Sequence, residues 1–179
     1  MPNEILIDYE TYQKMFAYAN IAKSKLDSEV GGYLVIDEIP EGGLKVIDIL
    51  LPEQTVSGGS FTAKPGIKCA PEVIPKIKGW WHSHHNMGTF HSGTDDDTLG
   101  DKWNGETATS PPYALSIVVA LPNEIKAYLQ YFKPIALKKV EIPVSISYPI
   151  SKEIFEKCQE DVDKQVKKYT YQSYFLRDK

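Results

Sequence analysis

Cysteine is scarce in this chain: Cys69 and Cys158 are the only two in 179 residues, and they stand far apart. With no C-x-x-C pair, a disulfide framework and a thiolate zinc knuckle are both excluded, and a reducing compartment is the plain reading. No stretch approaches eighteen apolar residues, so no membrane-spanning helix is expected. The opening MPNEILIDYE has acids where a secretory leader needs a basic region and an apolar run, which makes the cytoplasm the expected location. Basic charge is not in excess either. Twenty Lys and Arg against 24 Asp and Glu give a net charge of -4, which argues against a broad phosphate-binding surface and so against nucleic acid as a partner. The glycines of 57–59 lack the Lys-Ser or Lys-Thr of a phosphate loop. Internal repeats and interdomain linkers are missing too. What remains is 42% hydrophobic and 25% charged, the balance of one globular domain, 1–179, large enough to bury a core without staples.

Hydrophobic periodicity predicts alternating strands and helices. EILI (4–7) reads as a short strand, and Tyr12, Phe16 and Ala19 recur at helical spacing from Tyr9 to about Lys25. VGGYLVIDE (30–38) and LKVIDILL (44–51) form a hairpin about the Pro-Glu-Gly-Gly turn of 40–43. The polar, Gly-rich 52–66 is expected to be an exposed loop, and 72–76 a short connector. IKGWWHSHH is a strand running into histidines, and Asp95 to Gly100 a helix capped by Ser92 or Thr94. YALSIVVAL (113–121) and IKAYLQYF (125–132) predict a second hairpin, VEIPVSISY one further strand, and Lys152 to about Lys168 a closing helix. The fold class is α/β (α+β), a mixed, mostly antiparallel sheet flanked by helices.

All four histidines, His82, His84, His85 and His91, fall within ten positions and are followed by Asp95, Asp96 and Asp97. Strand side chains alternate, so His82 and His84 share one face and His85 points elsewhere. Two imidazoles on one face suit a zinc ion, with a carboxylate as third ligand and an open fourth position. Asp95 is the candidate carboxylate, held at the start of a helix with Ser92 on the same first turn.

His-x-His, seven residues, Ser, two residues, Asp is met position by position by His82, His84, Ser92 and Asp95. This pattern resembles the JAMM (MPN-plus) family of zinc metallopeptidases, as does the Gly-Trp-aromatic run before His82. Glu29 in SEVGGYLV looks like the family's upstream glutamate. The resemblance covers about residues 3–135 and leaves 136–179 as an extension. It implies an MPN/JAB-like, cytidine-deaminase-like fold and one Zn2+ held by His82, His84 and Asp95. It further implies hydrolysis of a peptide or isopeptide bond in a protein or peptide substrate, with ubiquitin-like tails among the family's targets. In that chemistry Glu29 moves the proton from water to the leaving amine, and Ser92 donates to the oxyanion. The family usually has proline after its second histidine; His85 stands there, so either a looser 85–91 loop or a substrate contact by His85 is expected.

Simpler roles stand beside these. Ser92 is a ready N-cap, Asp95 to Asp97 complement a helix dipole, and His85 and His91 read as loop or surface residues. Trp80 and Trp81 read as packing on alternate faces. A scaffold module that binds partners without hydrolysis is the alternative to a peptidase. A zinc deaminase is discounted, because its H-x-E and P-C-x-x-C signatures are absent.

Overall fold

A computed structural model describes residues 2–64, 66–85, 87–103, 111–134, 136–146 and 152–169. In chain order the elements are β1 (Ile5–Ile7), α1 (Tyr9–Leu26), β2 (Gly31–Ile39), β3 (Gly43–Leu50), β4 (Gln54–Ser57) and β5 (Ser60–Ala63). They continue with β6 (Ile77–His84), α2 (Gly93–Trp103), β7 (Tyr113–Ala120), β8 (Glu124–Tyr131), β9 (Val140–Ile142), β10 (Val144–Ser145), α3 (Lys152–Gln165) and β11 (Val166–Lys168).

Eight strands form one mixed sheet in the order β10-β1-β3-β2-β6-β7-β8-β9. Both predicted hairpins are present as antiparallel pairs, β2 with β3 and β7 with β8. β6 runs parallel to β7, and α2 lies in the crossover between them. All eight residues of β7 are buried, which is why its sequence is a nearly unbroken apolar run rather than an alternation. The expected single strand at VEIPVSISY is instead two short strands split by Pro143, with 147–148 outside the described residues. β9 pairs with β8 at one edge of the sheet and β10 with β1 at the other. The edges are thus joined by three consecutive residues, Ile142, Pro143 and Val144, and the Ile5 amide donates to the Pro143 carbonyl at 2.9 Å. The sheet therefore curls until its edges meet.

α1 is buried on most of its circumference, with Met15, Phe16, Ala19, Ile21 and Ala22 at 1% exposure or less. Strands β3, β6 and β7 cover one side of it and α3 the other. Tyr18 donates to Asp161 at 2.6 Å and Lys25 pairs with Asp163 at 2.6 Å across the two helices. One apolar cluster extends from Ile5 to Val166, so the 136–169 segment shares the core of the motif-bearing part. Among the described residues no helix is long and apolar enough to cross a membrane.

Two further expectations fail. The 52–66 stretch is not a plain exposed loop: β4 and β5 pair antiparallel within it. The closing helix stops at Gln165, because Val166–Lys168 is extended and pairs in parallel with β4. Together β11, β4 and β5 make a second, three-stranded sheet.

β6 and β7 approach closely at Gly79, where a methyl group would drive into the Leu115 carbonyl. Gly79→Ala is therefore expected to cost about 3 kcal/mol through overpacking against backbone that cannot yield. A urea midpoint compared with wild type checks it.

Candidate metal centre

β6 places the histidines by simple alternation. Trp81 and Ser83 face inward; Trp81 is fully buried in the main core, 6.1 Å from the Tyr18 ring. Trp80, His82 and His84 take the other face and line a cleft of about 250 Å³. Register across to the chain entering β2 is fixed twice: the Ser83 amide donates to the Val30 carbonyl at 2.9 Å, and the Val30 amide donates to the Ser83 hydroxyl at 3.0 Å. Gly31 pairs with His82. Two residues earlier, Glu29 is thereby carried to the level of His84.

His82, His84 and Asp95 each offer a ligand atom within 4.8 Å of the others, a group that can hold a metal ion. The two Nε2 atoms lie 3.1 Å apart, and Asp95 Oδ1 is 3.3 Å from His82 Nε2. His84 Nδ1 donates to the Gly88 carbonyl at 2.9 Å. A carbonyl only accepts, so the Nδ1 proton is fixed and Nε2 of the neutral ring is left as a lone pair aimed at the other two ligand atoms. That tautomer lock, with the far nitrogen on a carbonyl, is how metal-binding histidines are oriented. Nitrogen, nitrogen and carboxylate oxygen converging in a largely buried site form a donor set that can hold a metal ion, and the residues fit such an ion. Burial by itself pushes the Asp95 carboxyl up, but His82 and the two hydrogen bonds from Ser92 outweigh it and hold the group well below the usual carboxylate range.

Ser92 forms a capping box with Asp95. Its hydroxyl accepts from the Asp95 amide at 3.3 Å, and its own amide donates to Asp95 Oδ2 at 2.7 Å. The hydroxyl proton is also directed at Oδ2, 2.6 Å away. Oδ2 is thus engaged by Ser92, and Oδ1 is the oxygen facing the histidines. Ser92→Ala is expected to cost about 1 kcal/mol of stability as a lost cap, with the deficit read from the thermal midpoint.

Glu29 is 4% exposed and lines the same cleft. Burial pushes its carboxyl up to about 7, against the opposing pull of His82, while Asp95 adds to the rise. Its amide donates to the Ser57 carbonyl at 3.3 Å, at the end of β4. The second sheet supplies the facing wall, with Gly59 to Ala63 along the cleft. Gln54, buried to 1% exposure, ties the two sheets together: its Nε2 donates to the Gly31 carbonyl at 2.8 Å and its Oε1 accepts from the Gly31 amide at 3.1 Å. Gly31 has to be small here, since a methyl would enter the Phe61 ring.

The residues expected from sequence, Glu29, His82, His84, Ser92 and Asp95, all line this one cleft. His85 is half-buried and outside the ligand group. His91 is no ligand either, but neither is it a surface residue: its side chain is 2% exposed and bonded to Asp96 and Ser116. Asp96 accordingly does more than complement the helix dipole. The 85–91 loop is tied down at its described residues, at Gly88 by His84, at Thr89 by the Tyr128 hydroxyl at 2.9 Å, and at His91. Gln54, Phe61 and the β5 wall escaped sequence reading; a buried glutamine beside a glycine pair gives no local signal. No protein-family model matches the chain, and no curated protein matches it.

Proposed function

We propose that the chain is a zinc-dependent metallopeptidase of the JAMM (MPN-plus) type, built on an MPN/JAB-like domain, that hydrolyses a peptide or isopeptide bond. The observation that carries this reading is the meeting of the His82, His84 and Asp95 ligand atoms within 4.8 Å in a cleft that also holds the buried carboxyl of Glu29. When bound there, the zinc ion supplies Lewis acidity, which polarises a carbonyl and makes water a nucleophile near neutral pH. Glu29 takes the proton of the attacking water and returns it to the leaving nitrogen; with its carboxyl at about 7 it is poised for both transfers. Ser92 holds Asp95 in orientation through Oδ2, and acts on the substrate oxygen only when its hydroxyl proton swings away from that atom.

The wall opposite the histidines supports a reading of the substrate class. β5 is an edge strand among the described residues, and its residues line the cleft, a setting suited to strand addition by an extended segment. We place a protein or peptide tail there, a ubiquitin-like tail being the leading candidate. Purified protein should contain one zinc per chain, and cleavage of isopeptide-linked ubiquitin-like substrates should be lost on chelation and regained on adding zinc. Zinc uptake with no cleavage of isopeptide or linear substrates favours the non-hydrolytic scaffold instead. Failure to take up metal overturns the reading.

A further inference from the structure

We propose that His91 is a positioning residue that fastens the first turn of α2 to the sheet and so sets the place of Asp95 relative to His82 and His84. The functional part of this inference rests on the metal-centre reading above. Ser92 and Asp95 lock each other, but both belong to the same turn, so their capping box cannot fix that turn against β6. α2 packs chiefly on β7, and the polar link between them passes through His91.

Nδ1 of His91 lies 2.8 Å from Asp96 Oδ1 and 3.2 Å from the Lys139 ammonium, and Nε2 hydrogen-bonds the Ser116 hydroxyl of β7 at 2.7 Å. Asp96 is the immediate neighbour of Asp95 and also receives the Lys139 ammonium from the segment before β9. Lys139 lies over the Tyr128 ring at 5.2 Å, and the His91 ring packs on the same tyrosine at 4.4 Å. Parts of α2, β7, β8 and the β9 approach therefore converge on one imidazole. Ser, His and Asp stand here in the order of a serine hydrolase, but Ser116 is fully buried, so no substrate reaches its oxygen. A hydrogen-bonded chain whose imidazole and hydroxyl are buried acts as a brace. The His91 ring itself lies 6.5 Å, centroid to centroid, from the His82 ring.

The test uses His91→Phe, which keeps an aromatic ring on Tyr128 but no hydrogen bond, and Ser116→Ala, which removes only the hydroxyl and serves if the first variant fails to fold. His91→Gln is the conservative partner. In chelator-treated protein, amide exchange at Asp95 and Asp96 should rise about tenfold in His91→Phe and Ser116→Ala, with β7 amides unmoved, and should recover in part in His91→Gln. Zinc affinity, by competition with a chromogenic chelator, should fall about 10- to 100-fold in the same order, and the Co2+ absorption band should shift. Exchange at Asp95 and Asp96 within twofold of wild type in a folded variant overturns the brace. Zinc affinity within twofold, with exchange raised, overturns the positioning role. A wild-type chain that takes up neither Zn2+ nor Co2+ counts against the metal-centre reading and against His91's role in it, and the exchange data on that protein decide the brace by themselves.

Discussion

Glu29→Gln is expected to lower cleavage by about 10² to 10⁴ while leaving zinc stoichiometry at the wild-type value. The amide is nearly isosteric with the carboxyl and keeps the cleft filled, but it neither accepts the proton of water nor delivers one to a leaving amine. Glu29 lies outside the three-residue ligand group, so metal content separates loss of the proton carrier from loss of the ion. The same variant has a second signature in metal-free protein. Folded Glu29 keeps its proton up to about pH 7, whereas the unfolded chain releases it near the ordinary 4.5. Folding thus binds a proton between those values, and stability falls as pH rises through that window. The fall should be about 2 kcal/mol after allowance for screening by solvent in the cleft, and Glu29→Gln should lack it. Urea midpoints of chelator-treated protein at pH 5 and pH 8 measure the difference; equal slopes in the two proteins would show that Glu29 is solvated rather than buried.

How much of this was legible in the sequence depended on how local the cause was. β7 and the helical stripe of α1 announce themselves because burial dictates residue type at every position or every turn. The His-x-His pair was legible because alternation along a strand is a local rule, and Ser92–Asp95 because a capping box is contained in four residues. What stayed hidden depends on distant partners. β4 and β5 are short, polar and joined by the Gly58–Gly59 turn, and they are held by the Gln54 amide on Gly31 and by β11 from the far end of the chain. Val166 continues the helical stripe of α3, yet pairing with β4 prevails over that local preference. Nothing in the sequence around Pro143 says that its two flanks pair at opposite edges of a curled sheet. His91 belongs to the same class: its burial is produced by four elements meeting, and residues 25 and 48 positions away supply two of its partners.

His82→Ala should have the largest effect on the ion itself, because His82 is the residue that both other ligands face: its Nε2 is 3.1 Å from His84 Nε2 and 3.3 Å from Asp95 Oδ1. Loss of a residue that merely orients a ligand costs about 10- to 100-fold in metal affinity, so removal of the central ligand should cost more than about 100-fold. Metal-free stability should fall as well, by about 1 to 3 kcal/mol, since Asp95 keeps Ser92 but loses the partner that most offsets its burial. The pH dependence gives the sign. In wild type the Asp95 carboxyl is held below its ordinary 3.8, so its contribution is present above that value and is lost as pH falls beneath it. In His82→Ala that acid loss should shrink, because the folded and unfolded carboxyls become more alike. His85→Ala is the matched comparison: three positions along and outside the ligand group, it should bind zinc within twofold of wild type. Isothermal titration with Zn2+ on both variants reads the contrast directly. Equal zinc affinity in the two would mean that the convergence of His82, His84 and Asp95 is a hydrogen-bonded core feature rather than a metal centre.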